Sequence, residues 1–209
     1  QAPAGDTRRP TYLDLRTSPP LVRHGAPWPD AQTRGYHQVA LLLPDGHVLI
    51  AGGQVGACVS EADCYDERPD LRLYAPDYLS PELSEFRPSI EGLLRTAPEG
   101  APIASQHGLP VVRRGTDLRI AVKRTRIGAP ASMRAALVGL GSVTHSFDQN
   151  QRYIDLGGVA NGECNLEVRV PAEASLLPPG PYMLFVLARV LTAEGPIELP
   201  SAARMVLVR

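Results

Sequence analysis

Two histidines and a tyrosine are the residues of this sequence best suited to chemistry. Tyr36 and His37 are adjacent and precede an apolar run, and His145 follows another apolar run and precedes a polar loop. Two imidazoles and a phenolate form a mixed nitrogen and oxygen donor set that suits Cu(II) in tetragonal geometry. The sequence contains no G-x-S-x-G motif, no phosphate-binding loop and no H-E-x-x-H motif. These residues therefore predict a metal centre. His47, which lies next to a turn, and His24 and His107, which flank loops, are interpreted as structural.

We expect a tight hairpin to position the adjacent residues Tyr36 and His37. Two apolar runs, residues 39–43 and 48–51, are joined by Pro44, Asp45 and Gly46. Proline presets φ, aspartate bonds to nearby backbone and glycine supplies a positive φ, so this connection predicts a turn between two strands. A second turn follows at Gly52-Gly53. A strand pair that ends in Gly-Gly is typical of a kelch-type propeller blade.

The later part of the chain predicts a second all-β domain. Short β-type runs recur at the spacing of a sandwich, and no helical period exceeds two turns. The predicted strands are residues 108–112, 117–122, 133–140, 151–156, 165–170, 182–187 and 203–208. Residues 77–209 are therefore predicted to form an immunoglobulin-like β-sandwich, and the fold class is all-β.

The segment before residue 77 has a different sequence pattern. Prolines and glycines within residues 1–30 predict irregular structure there. Residues 71–74 alternate like a half-buried strand, and the proline-containing segment 75–81 breaks that pattern. Residues 1–76 are thus predicted to be an N-terminal extension and the C-terminal part of a kelch-type propeller.

Composition excludes several partners. With 209 residues, a net charge of -1 and a pI near 6.6, the chain gives no electrostatic reason to bind nucleic acid or an anionic membrane. No apolar run approaches the roughly 18 residues that a membrane span needs. The chain opens on Gln1 rather than methionine, which indicates a processed product or a fragment.

The three cysteines are relevant to whether the protein is exported to an oxidising compartment. A local disulfide between Cys58 and Cys64 is plausible if the protein is exported, and their spacing does not fit a zinc knuckle. Cys164 has no evident partner in the sequence.

Several segments resemble, in one order, the C-terminal part of the copper radical oxidases, the family of galactose oxidase and glyoxal oxidase. The matching segments are residues 35–37 with 41–46, 52–53 with the cysteine loop, 74–79 with 87–88, 143–146 with 148–152, and 177–186. The resemblance extends over about residues 33–209. It implies a last propeller blade followed by an early-set (E-set) domain of the immunoglobulin-like class.

The resemblance also implies roles for the candidate ligands. Tyr36 matches the axial copper tyrosine, whose phenolate takes the substrate proton, and His37 and His145 match the two equatorial histidines. The reaction so implied removes two electrons from a primary alcohol or an aldehyde and passes them to O2, which gives H2O2. The expected location is extracellular or periplasmic.

One part of that family's redox centre is not expected in this chain. Its radical resides on a tyrosine joined to a cysteine by a thioether, and both residues belong to earlier propeller blades. The resemblance therefore implies a partner that carries the Cys-Tyr radical, either an N-terminal propeller chain or a segment of the same oxidase. The alternative hypothesis is a non-catalytic immunoglobulin-like module with a structural or binding role.

Overall fold

The structure, a computed structural model, describes most of the chain. The described residues are 11–14, 18–25, 34, 36–55, 66–67, 69–97, 100–123, 132–145, 147–162, 164–192 and 195–209. Two compact units are formed, the first from Gln1–Gln38 and Ala51–Asp70 and the second from Val39–Ile50 and Leu71–Arg209. The predicted Cys58–Cys64 disulfide lies outside the described residues.

The described residues before residue 75 include several short strands. The strands are β1 (Thr11–Asp14), β2 (Leu21–His24), β3 (Tyr36–Leu42), β4 (Val48–Val55), β5 (Asp66–Glu67) and β6 (Arg72–Tyr74). Strands β1 and β2 form an antiparallel hairpin. Strand β4 lies between β3 and β5 and also pairs with β6.

The rest of the chain begins with two short helical turns and continues as strands. The helical turns are a 3-10 turn (Asp77–Leu79) and α1 (Pro81–Ser84). The strands are β7 (Ser89–Arg95), β8 (Ser105–Gln106), β9 (Leu109–Val112), β10 (Asp117–Lys123), β11 (Ser132–Gly139), β12 (Val143–Thr144), β13 (Phe147–Asp148), β14 (Tyr153–Gly157), β15 (Val159–Ala160), β16 (Asn165–Arg169), β17 (Gly180–Thr192), β18 (Gly195–Pro200) and β19 (Arg204–Val208). Within the part of the chain that the structure describes, no helix is long and apolar enough to cross a membrane.

Two sheets form a sandwich in the second unit. The smaller sheet has the order β15-β16-β10-β7, and the larger has the order β14-β11-β17-β19-β9-β8 with β18 beside β17. The pairing of β9 with β19 is parallel, whereas β17 is antiparallel to each of its neighbours. Alternate residues of facing strands fill the space between the sheets, among them Ile120, Leu137, Leu166 and Leu184, which are all fully buried. Burial of each such side chain contributes about 1.5 to 3 kcal/mol.

The turn of the β3–β4 hairpin is bound by other parts of the second unit. Three successive carbonyls each accept one hydrogen bond: Pro44 from the Ala203 amide at 2.7 Å, Asp45 from Arg87 Nη2 at 2.9 Å, and Gly46 from the Tyr78 hydroxyl at 2.7 Å. We call these three bonds the turn clamp. Arg87 also donates through Nε to the Pro200 carbonyl at 2.8 Å, so one guanidinium joins the turn to the end of β18.

Glycine is required at the centre of the turn clamp. Gly46 is buried and has a φ of 98°, and a Cβ there would lie 3.2 Å from Cε2 of Tyr78. Burial raises the pKa of Tyr78, with the nearby Arg87 charge opposing the shift, and burial lowers the pKa of Arg87. The predicted Pro44-Asp45-Gly46 turn is therefore present, with Gly46 buried and Pro44 and Asp45 exposed.

The predicted all-β class and the sandwich are confirmed, and each of the seven predicted strands overlaps an observed one. The prediction of irregular structure for residues 1–30 was wrong for β1 and β2, which form an antiparallel hairpin. In this hairpin, Thr11 Oγ1 and His24 Nδ1 lie 3.2 Å apart. The prolines predicted to prevent regular structure include Pro19 and Pro20, which lie in the connection between these strands. The kelch assignment and the boundary between residues 76 and 77 stay predictions.

Replacing Tyr78 with phenylalanine should destabilise the second unit by about 1 to 2 kcal/mol, because the Gly46 carbonyl loses its donor in a buried place. Urea unfolding followed by circular dichroism measures the effect. The matched control is Tyr153→Phe, since the Tyr153 hydroxyl also forms one hydrogen bond, with Arg134, but the side chain is 55% exposed and water can take its place. Equal losses in the two variants would contradict a stabilising role for the turn clamp.

The same tyrosine predicts a pH dependence at alkaline pH. Because its pKa is raised in the folded state, its contribution is fully present below the unfolded pKa of about 10 and is lost as pH rises through the folded pKa. The wild-type chain should therefore lose more stability than Tyr78→Phe as pH rises from about 10 through the folded pKa. Parallel losses of stability for the two proteins over that interval would contradict the assignment.

Candidate metal centre

The two adjacent candidate ligands lie at the start of β3. Tyr36 is its first residue, and the side chain of Tyr36 is outside the described part of the structure. His37 is exposed, and its backbone φ is 63°. Residues other than glycine adopt this left-handed region uncommonly, although histidine does so more often than most. Such conformations cluster at functional positions, which makes His37 a candidate on its geometry as well as its chemistry.

A neighbouring glycine accommodates the backbone of His37. Gly52 of β4 has a φ of 65°, and a Cβ there would lie 3.0 Å from the His37 carbonyl oxygen. Arg34 Nη1 donates to the Gly52 carbonyl at 2.7 Å, and Arg34 Nη2 donates to both the carbonyl and the carboxylate of Asp70. The Arg34 side chain is only 6% exposed. A buried guanidinium thus fixes the strand that faces His37 within the first unit.

The third candidate ligand lies at the tip of a small hairpin. His145 follows β12 and precedes β13, which pair with each other. Its side chain is exposed and its φ is 54°. The hydroxyl of Thr144 lies 2.7 Å from His145 Nδ1. A hydrogen bond to one ring nitrogen orients an imidazole and selects its tautomer.

The carboxylate of Asp148 organises this hairpin from within. Asp148 Oδ1 accepts hydrogen bonds from the Ser142 amide at 2.8 Å and from the Asn150 amide at 3.0 Å. The side-chain amide of Asn150 donates to the Leu140 carbonyl at 2.7 Å. These bonds close the segment on itself and so help to position His145.

The base of the hairpin is close-packed. A Cβ on Gly139 would lie 2.8 Å from the Asn150 carbonyl oxygen, and a Cβ on Gly141 would lie 2.7 Å from Leu41 Cδ2. Both glycines therefore permit approaches that a larger residue would prevent. Phe147 at the tip is 65% exposed, which leaves a large apolar side chain beside His145 in solvent.

The three predicted ligands fall in different units. Tyr36 and His37 belong to the first unit and His145 belongs to the second, and the set stays a prediction. Among the described residues, no three or more His, Cys, Asp or Glu side chains lie close enough together to hold a metal ion. Cys164 is an exposed free thiol.

Sequence reasoning missed Arg34 and Asp148 as supporting residues. The pattern Asp148-Gln149-Asn150 is an available signal for the second, because aspartate commonly bonds the backbone two residues further on. Arg34 has no comparable signal, since its acceptors Gly52 and Asp70 are distant in sequence.

Replacing Asp148 with alanine should loosen the His145 hairpin without unfolding the sandwich. Two backbone amides lose their acceptor, at a local cost of about 1 kcal/mol, so hydrogen exchange at Ser142 and Asn150 should accelerate about fivefold. Asp148→Asn keeps an acceptor oxygen and serves as the matched control. If the alanine variant exchanged no faster than the asparagine variant, the carboxylate would not organise the hairpin.

Comparison with known proteins identifies the family to which the second half of the chain is similar. The model of the galactose oxidase-like early set domain matches residues 101–208. A galactose oxidase of Gibberella zeae is 31% identical over 160 residues, which cover 76% of this chain and 20% of that protein. The aldehyde oxidase GLOX of Vitis pseudoreticulata is 28% identical over 183 residues, which cover 85% of this chain and 30% of that protein.

A solved structure gives the same result for the fold. A fungal alcohol oxidase of the AA5 family, in complex with copper, superposes with a TM-score of 0.66 at 23% identity and covers 98% of this chain and 37% of that one. The chain spans between about a fifth and a third of the length of the curated relatives named above. Its sandwich and the family match over residues 101–208 agree, and the chain belongs to the galactose oxidase-like early set domain family.

Proposed function

We propose that this chain is the C-terminal part of a copper-dependent oxidase that acts on a primary alcohol or an aldehyde with O2 as the acceptor. The observation that carries the proposal is the extent of the similarity to an aldehyde oxidase. An alignment that covers 85% of this chain must include residues 36, 37 and 145 wherever it starts. The relatives named as galactose and aldehyde oxidases support the same class of reaction.

Tyr36, His37 and His145 would hold the copper ion. Their donors, one phenolate and two imidazoles, fit copper by chemical type. Exposure of both histidines and the contact between Thr144 and Nδ1 of His145 agree with this role, because a partner on Nδ1 directs Nε2 toward a metal.

The chain's own part in the reaction would be to hold the ion and to move one proton. A bound copper ion would supply one-electron redox chemistry and lower the pKa of groups bound to it. The Oη atom of Tyr36 would accept the proton of the substrate hydroxyl as general base. The overall reaction converts an alcohol and O2 into an aldehyde and H2O2, or a hydrated aldehyde and O2 into a carboxylic acid and H2O2.

The second electron store would come from a partner segment. We assign the Cys-Tyr thioether radical to an N-terminal propeller, either a separate chain or a segment of the same oxidase. Residues 1–76 would complete that propeller and residues 77–209 would form the early-set domain. The exposed Phe147 at the tip of the His145 hairpin supports insertion of this hairpin into a partner. A secreted location is part of the proposal.

Replacing His145 with alanine should reduce the bound copper of the protein assembled with its propeller partner from about one ion per assembly to a small fraction of that. The matched control is His107→Ala, since His107 is also exposed and has a φ of 52° but is not a proposed ligand. Metal analysis after dialysis measures the ion, and circular dichroism checks the fold. Full copper in His145→Ala would exclude this residue as a ligand.

Activity is tested separately on the purified assembly. Native and denaturing mass should show a larger polypeptide travelling with the 22.5 kDa chain, and peroxide should form with primary alcohols or aldehydes. A chain that remains alone and free of copper after copper addition would instead support the structural or binding module.

A further inference from the structure

A cavity lies in the sandwich apart from the candidate metal centre. Its volume is about 540 Å³, and its lining comes from both sheets, including the end of β7, the end of β9 and the start of β10. None of Tyr36, His37 or His145 contributes to it. Small-molecule sites have volumes of about 300 to 1,000 Å³ and combine an apolar lining with a few polar groups.

Arginine dominates the charge of this cavity. Arg95, Arg113 and Arg169 line it, and Asp117 is the single acidic residue of the lining. Arg169 Nη1 pairs with Asp117 Oδ1 at 3.0 Å, where both side chains are more than half exposed. Within the described part of the chain, the side chains of Arg95 and Arg113 form no hydrogen bond or ion pair, so two positive charges are left uncompensated.

The floor of the cavity is apolar. Val111, Val112 and Leu118 line it and are 9%, 2% and 3% exposed. The Thr116 hydroxyl donates to the Arg113 carbonyl at 2.7 Å, which anchors the turn that carries one of the unpaired guanidinium groups. An apolar floor below guanidinium groups suits a ligand with an apolar body and an anionic end.

We propose that this cavity binds a small organic anion that carries a carboxylate or a phosphate beside an apolar body. The planar guanidinium fork matches the oxygens of both groups, and the apolar floor adds affinity that an inorganic anion cannot gain. The ligand lies between the two sheets, with its anionic end at Arg95 and Arg113. This binding function does not depend on the proposed oxidase reaction.

Four probes test the proposal on the full chain by calorimetry and by amide chemical shifts. Phenylacetate and phenyl phosphate represent the carboxylate and phosphate sources, phenylacetamide is the neutral counterpart of phenylacetate, and inorganic phosphate lacks the apolar body. At least one organic anion should bind tenfold or more tightly than phenylacetamide and inorganic phosphate. The shifts should centre on Thr96, Arg113 and Leu118, and the tighter of the two anions identifies the source.

The double variant Arg95→Gln/Arg113→Gln should bind the preferred anion at least tenfold more weakly while keeping the wild-type circular dichroism spectrum. Arg189→Gln is the control, since Arg189 is exposed on β17 and does not line the cavity; it should bind normally. Three results would overturn the proposal: no binding of either organic anion, equal binding of phenylacetamide, or unchanged affinity in the double variant.

Discussion

Three hydrogen bonds to the turn at residues 44–46 join the β3–β4 turn to the rest of the second unit. A two-stranded hairpin has marginal stability alone. The turn of this hairpin is held because three consecutive carbonyls accept hydrogen bonds from Tyr78, Arg87 and Ala203. Those donors come from the 3-10 turn, from the segment before β7 and from the segment before β19. The hairpin that begins with Tyr36 and His37 is thus fixed at its turn, the end opposite to those residues.

His37 and His145 have the same type of backbone conformation and the same type of structural support. Each has a left-handed backbone, and each is supported by polar groups that bond to backbone rather than to the imidazole alone. Near His37 the support comes from the buried Arg34 through Gly52, and near His145 it comes from Asp148. His107 has the same backbone conformation in a plain turn between β8 and β9, so φ becomes informative only together with this polar framework.

Local patterns in the sequence predicted the elements that are formed by local physics. The turn at Pro44, Asp45 and Gly46 and the alternating strand β16 were visible because their residue types determine their backbone. Strand β18 escaped prediction because it contains Pro196 and Pro200, which are unusual in a strand and tolerated here beside β17. The hairpin β12–β13 was read as a loop because its strands have only two residues each.

The candidate site was predictable only in part, for a similar reason. Residue type and position relative to apolar runs were enough to propose Tyr36, His37 and His145. The backbone conformation of the histidines was not visible, because it results from contacts such as Gly52 with the His37 carbonyl, which join residues distant in sequence. The cavity was missed for the same reason, since its arginines come from three separate strand ends and turns.

The turn clamp has a consequence for the order in which the protein can form. The Pro44 carbonyl can accept its hydrogen bond only after Ala203 is present, and β9 can pair only after its parallel neighbour β19 is present. Contacts between the beginning and the end of a chain are slow to form because a long loop must close first. During synthesis on a ribosome, Tyr78 and Arg87 follow 32 and 42 residues after the turn carbonyls that they bond, whereas Ala203 is made only much later. Two bonds of the turn clamp can therefore form before the third, and the clamp is complete only once the segment before β19 has been made.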